Sequence, residues 1–356
     1  METTTAAGKA TWVDRARLFA FLYLSAMLMV VASERIYWYW SGVTVDSILG
    51  LTLVYSLPAA AGLWALAING ARRLSDVVLA GAVFAFVVEG VVTPVIYFDG
   101  FLPIFAAMFV GWHGIVGFLG AWYLVRKLLL AGRDRLLALV SVVAGLGWGA
   151  WARAAATGET LDVDEVAALA AEGIDTSILS PSEFAVYASL VGVIFMAGHW
   201  LVGYVWPQRW VPGKRSTRAV VFLALGYMSL AVLPAVIWAP LKLAVLIGGT
   251  LLLMRRGSQT AGPNIVEQLH GRIPLRRTLA LAPLPIAAAL AYWIVATSGM
   301  SDDGLLAIYW SAVAAQVIGG GGAYVWAARR AMQAPSLPAQ ETELPVVTDP
   351  LPDSRT

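Results

Sequence analysis

Ten predominantly apolar runs follow one another along the chain, at 16–36, 46–69, 75–97, 101–125, 136–157, 183–206, 218–239, 240–254, 278–298 and 305–328. Most have the ~20 residues that a helix needs to cross a ~30 Å hydrocarbon core. Backbone amides in hydrocarbon must be satisfied within their own segment, so runs of this kind fold as helices. The short alternating strands of a membrane barrel are not visible. The predicted fold is therefore all-α: a polytopic integral membrane helix bundle of about ten transmembrane helices. Composition agrees, with 59% hydrophobic and 13% charged residues, against about 25% charged in soluble domains.

Lys and Arg bias in short loops sets orientation. If the chain starts in the cytoplasm, all but three of its 24 Lys and Arg residues fall on the cytoplasmic side; Arg35, Arg153 and Lys242 are the exceptions. Both termini are then cytoplasmic. The expected location is the plasma (cytoplasmic) membrane, with membrane lipids as partners and no nucleic acid. The pair 218–239 and 240–254 is the weakest assignment, because Pro240 divides it and the second piece is short. Nine spans would put Arg329 and Arg330 outside, so ten are preferred.

The expected organisation is a cytoplasmic segment 1–15, a transmembrane domain 16–330 and a disordered cytoplasmic tail 331–356 rich in Pro and Glu. Residues 158–182 form an acidic outer loop, with a short helix expected from Asp162 to Glu172. Residues 255–277 form a basic cytoplasmic loop with five arginines, expected to be flexible and near lipid head groups. The first residues lack a clear cleavage site, so the first run reads as a span and not a signal peptide. Pro58 and Pro234 hold corresponding positions in spans two and seven, as an inverted repeat would place them. Pro94, Pro283 and Pro285 are expected kinks.

The absence of cysteine excludes disulfides, thiolate metal sites and thiol nucleophiles. Three histidines are too few for a multi-haem cytochrome, and no cofactor is expected. There is no HExxH, phosphate loop or GxSxG elbow. Gly145-x-Gly147 lies inside a span and is not a dinucleotide fingerprint.

Ionisable groups at membrane depth usually face the protein interior. Glu89 and His113 lie near the midplane on consecutive antiparallel helices. Helical spacing puts Ala82, Ala85 and Thr93 on the face of Glu89, and Ala106, Gly117 and Gly120 on that of His113. Small residues favour tight packing, so a Glu89–His113 hydrogen bond is expected. It would serve either as a polar clamp or as a proton-handling pair. The segment Ser33-Glu34-Arg35-Ile36-Tyr37-Trp38-Tyr39-Trp40 ends the first span. It reads either as an aromatic belt with a structural ion pair or as a ligand-binding mouth. In the second case Glu34 is a catalytic candidate, while Arg35, Tyr37, Trp38 and Trp40 hold ligand. Arg35 needs a partner such as Glu34, Asp46 or Asp99. Asp99 and Gln316 complete the candidate ligand set. Gln316 precedes the run Gly319–Gly322, where the last span either breaks or packs closely. His199 reads as a satisfied core histidine.

Three function classes stay open, and the helix count favours the first. One is a secondary transporter of a small amphipathic or anionic molecule, driven by the Glu/His pair. Another is a membrane-embedded enzyme acting on a lipid or isoprenoid, and the third is a structural subunit of a membrane complex. An elongated cavity open to lipid with a carboxylate at its end distinguishes the enzyme. A polar path between two aqueous faces distinguishes the transporter.

Overall fold

The computed structural model describes residues 12–36, 45–97, 102–158, 178–207, 213–231, 238–257 and 262–333. No strand occurs among them. Eight helices are long and apolar enough to cross a membrane. They are α1 (Trp12–Arg35), α2 (Val45–Ile68), α3 (Leu74–Val92), α4 (Pro103–Leu130), α5 (Asp134–Ala156), α6 (Pro181–Val205), α9 (Leu275–Thr297) and α10 (Asp302–Met332). Between α6 and α9 lie α7 (Lys214–Ala231) and α8 (Ala239–Gly257). These two miss that threshold: the apolar stretch of α7 is only Thr217–Ser229, and α8 carries Lys242, Arg255 and Arg256. Pro234 and the expected helix 162–172 lie outside the described residues. So do 258–261 of the basic loop and the tail from 334 onward.

Local chemistry marks the helix starts. Ser180 accepts from the Glu183 amide while the Glu183 carboxylate accepts from the Ser180 amide, with Pro181 in the first turn. Such a reciprocal cap satisfies two otherwise orphaned donors. Ser301 caps α10 in the same position. The buried Asp76 carboxylate accepts the amides of Arg72 and Arg73 at the entrance to α3. Pro58 lies inside α2, whereas Pro94 and Pro283 stand where the helix type changes. Pro94 opens a 3₁₀ turn, Pro94–Tyr97, and Pro283 starts the regular part of α9. That is where a missing amide costs least.

Helix α3 is the centre of the bundle, 94% buried over its apolar window, and it packs on α2, α4, α8 and α10. Elsewhere the outer surface is apolar: Val186 and Phe222 are each 71% exposed and Ile318 74%. A continuous apolar exterior of this extent fits lipid and not water. Helices α5 and α9 form the tightest pair. A Cβ at Gly149 would stand 2.0 Å from the Ala288 carbonyl, and one at Gly145 would stand 2.3 Å from that of Leu284. Small residues of this kind let backbones approach in the absence of a hydrophobic drive between helices. The glycine run Gly319–Gly322 does not break α10, which is continuous from Asp302 to Met332. Gly320 instead lets α10 close on α4, where a Cβ would meet the Ala107 carbonyl at 2.1 Å.

Successive helices alternate in direction. One end of the bundle, the distal end, therefore holds the finish of α1 and the start of α2; Trp12 lies at the proximal end. Of the basic loop, the described part is folded against the proximal end and is not a free loop. Ile265, Val266, Leu269 and Ile273 are buried, and the Ile265 amide donates to the Ala71 carbonyl at 2.8 Å. The indole of Trp206 donates to Val266 at 2.8 Å. Arg126, fully buried, donates to the carbonyls of Leu269 at 2.9 Å and Gly271 at 2.7 Å. Its guanidinium also lies over the Trp206 ring, 3.8 Å from the centroid.

Candidate functional site

Three helices change from α to π geometry, and each of these segments supplies one of the three side chains that meet at the site. The end of α1, Val31–Arg35, holds Glu34; the end of α3, Val88–Val92, holds Glu89; and Val110–Leu124 of α4 holds His113. The wider turns are visible in the backbone. Ile36 donates to Val31 at 3.1 Å and Thr93 to Val88 at 2.8 Å, five residues apart in both cases. Widened turns of this type concentrate at functional sites because they re-aim a side chain and loosen the local ladder.

Glycines set the approach of α4 to its neighbours. Gly114 meets Gly81 of α3 backbone to backbone, Gly111 faces the Gln316 carbonyl of α10, and Gly117 faces the Met29 carbonyl and Ser33 of α1. His113 is thereby carried into reach of α3 and α1 together. Its Nε2 lies 2.5 Å from Glu89 Oε1, so the expected hydrogen bond is present. Its Nδ1 lies 3.5 Å from Glu34 Oε1, a contact between two candidates that the sequence treated as separate clusters. Tyr55 of α2 donates to Glu34 Oε1 at 2.8 Å, and Thr93 donates to Glu89 Oε2 at 3.2 Å. The imidazole stacks on Trp112, with ring centroids 5.0 Å apart, and meets the edge of Phe84. The Trp112 indole in turn donates to the Ser33 carbonyl, which ties α4 to the π turn of α1.

Glu34, Tyr55, Glu89 and Thr93 form the polar end of a cavity of about 480 Å³. Its walls are Ile104, Phe105, Met108, Phe109 and Trp112 of α4, with Tyr309, Trp310, Val313 and Val317 of α10. His113 stands behind the carboxylates, 1% exposed. The rim is apolar and open, with Ile104 51% and Trp310 59% exposed. Trp310 is eight residues into α10, roughly 12 Å along its axis. The opening therefore runs down between α4 and α10 into the depth of the membrane and is not confined to the distal surface.

The chemistry of the polar end follows from burial and charge. Two carboxylates meet one imidazole at a buried position, so a proton held by any one of them lies within reach of a neighbour. Tyr55 and Thr93 satisfy carboxylate oxygens that burial would otherwise leave costly. Among the described residues, no group of three or more His, Asp or Glu side chains is arranged to hold a metal ion.

The remaining candidates fall elsewhere. Tyr37, Trp38, Trp40 and Asp99 lie outside the described residues. Arg35 lines no part of the cavity. It makes no ion pair with Glu34 or Asp46, two of the partners expected, while Asp99 lies outside the described residues; its buried Nε has no hydrogen-bond partner among the described residues, and its carbonyl accepts from Tyr187 at 2.5 Å. Gln316 presses its backbone on Gly111 and is absent from the cavity wall. His199 is buried edge-on to Phe195 and against the Ala121 backbone, as a core histidine, and lines neither the carboxylates nor the cavity. Tyr55 was missed, although a tyrosine in mid-span needs a partner for its hydroxyl. The sequence matches no protein-family model, and no curated protein or solved structure is similar to it.

Proposed function

We propose that the chain is a membrane-embedded enzyme that performs acid–base chemistry on a lipid or isoprenoid substrate. The observation that carries this is the apolar cavity, open along α4 and α10, that ends on two carboxylates, one hydrogen-bonded to His113 Nε2 and the other 3.5 Å from its Nδ1. Pockets of this size, apolar with a few convergent polar groups, take small molecules. A substrate from the bilayer enters between α4 and α10, and its apolar body lies against Phe105, Phe109 and Trp310. Glu89 and Glu34 meet its reacting end.

In the simplest balanced scheme one carboxyl donates a proton to the substrate and the other carboxylate removes one from a neighbouring carbon. His113 then returns the proton from the second group to the first. The net change is a proton moved along the substrate, with no oxidant or reductant consumed. Positioned acid–base groups of this kind contribute ~10²–10⁴-fold in rate.

One observation favours a second function, proton-coupled transport. The cavity opens on the distal side while the proximal end is sealed by residues 264–273 on Arg126 and Trp206. That is the shape of one state in alternating access. The two are separated by one comparison. Protein in nanodiscs is incubated with a neutral-lipid extract, and the products are analysed by mass spectrometry; in parallel, sealed liposomes are assayed for uptake coupled to internal pH. The enzyme predicts a converted lipid in nanodiscs, lost in Glu89→Gln. Uptake in liposomes with no chemical change to any lipid overturns it.

The same proposal includes a ten-crossing topology, with α7 and α8 as thin spans. The proximal end is placed in the cytoplasm because it gathers Arg72, Arg73, Arg126, Lys127, Arg133 and Arg135. The cytoplasmic membrane is the corresponding location.

A further inference from the structure

A second groove, of about 750 Å³, lies on the other side of α4, between α4, α5 and α9. Ala32 and Ile36 close its distal end and so stand back to back with Glu34, which faces the first cavity. Its walls are hydrocarbon apart from Ser141, and its proximal end carries two cations, Lys127 and Arg133. From Ile115 to Leu128 it follows α4 for fourteen residues, up to roughly 20 Å at ~1.5 Å per residue.

We infer that this groove binds one acyl chain of an anionic phospholipid, with the phosphate held by Lys127 and Arg133. Charge complementarity carries the assignment. Both cations are exposed, and neither pairs with a carboxylate among the described residues. Lys127 donates only to the Tyr123 hydroxyl, at 3.1 Å. A third cation, Arg277, stands over the same turn: its guanidinium donates to the Leu129 carbonyl at 3.3 Å and lies against Gly132. Asp134, the neighbouring acid in sequence, does not line the groove. The groove is longer than one ~15 Å leaflet, so a chain anchored at the cations reaches past the midplane. A second copy of this chain presenting the same face would set like charges against each other.

The test is native mass spectrometry of detergent-purified protein titrated with dioleoyl phosphatidylglycerol, dioleoyl phosphatidylcholine or oleic acid. One phosphatidylglycerol is expected to bind, at least tenfold tighter than phosphatidylcholine. Two basic residues near a membrane surface are worth roughly tenfold or more for an anionic head group. In K127A/R133A that preference is expected to vanish while chain binding persists. Ala144→Trp fills the groove from an exposed position and is expected to abolish the site. Thermal unfolding and size exclusion establish that both variants are folded. Equal binding of both phospholipids, binding unchanged in both variants, preference for oleic acid, or a dimer that breaks in Ala144→Trp would each overturn the assignment.

Discussion

A single imidazole stands against two acids at the polar end of the cavity. His113 contacts Glu89 directly and faces Glu34 across 3.5 Å. Tyr55 donates to that same Glu34 oxygen, and Thr93 to the second oxygen of Glu89. Removing one member of such a network leaves the others unsatisfied, at about 1–3 kcal/mol for each orphaned group. His113→Phe is therefore expected to lower the melting temperature as well as the reaction rate. Tyr55→Phe removes one donor to Glu34 and is expected to reduce the rate about tenfold for a loss of roughly 1–2 kcal/mol. Thermal unfolding in detergent and turnover on the lipid extract measure both. Glu89 and His113 were legible in the sequence because a charge at mid-span has few bland explanations. Glu34 joining them was not, since it sits at the end of a run where interfacial residues are commonplace.

Helices here are shaped by what glycine permits. Gly149 and Gly147 lie two apart in α5, yet a Cβ at Gly149 collides with the Ala288 carbonyl while one at Gly147 meets nothing within 4 Å. Gly149→Ala is expected to destabilise by roughly 1–3 kcal/mol or more through overpacking, whereas Gly147→Ala is expected to stabilise slightly, by about 0.5–1 kcal/mol. Melting temperatures of the two variants, read side by side, check this. Arg126→Met removes both hydrogen bonds to the segment beyond Val266; faster amide hydrogen exchange over 265–273 is the expected result. The eight helices long and apolar enough to cross a membrane were readable from length and apolarity alone. The π segments were not, because i→i+5 pairing leaves no periodic mark in so apolar a sequence. Their effect on faces is concrete: the 3.6-residue spacing put Ala82 and Ala85 against His113's helix, but the closest approach is Gly81 to Gly114.

At the scale of the whole molecule, the bundle sets the carboxylate-ended cavity against a proximal end covered by residues 264–273, in a chain with no cysteine. That last property makes orientation directly measurable. Single cysteines at exposed positions, Ser182→Cys at the distal end and Arg133→Cys at the proximal end, are expected to differ in sealed right-side-out vesicles. An impermeant maleimide labels the first and spares the second; the opposite pattern reverses the proposed topology. Charge asymmetry in the sequence was enough to frame that prediction. It could not show a cavity, which exists only once α10 crosses α4 far along the chain. Proton transfer to carbon is the claim on which the proposed function stands, and hydrogen isotope exchange reads it most directly. Protein in nanodiscs is held with a neutral-lipid extract in D₂O, and deuterium at non-exchangeable carbon positions is counted by mass spectrometry. The account predicts incorporation into one lipid species by the native chain, reduced at least a hundredfold in Glu89→Gln and Glu34→Gln. Incorporation by native protein no greater than by empty nanodiscs, or undiminished in both variants, would contradict it.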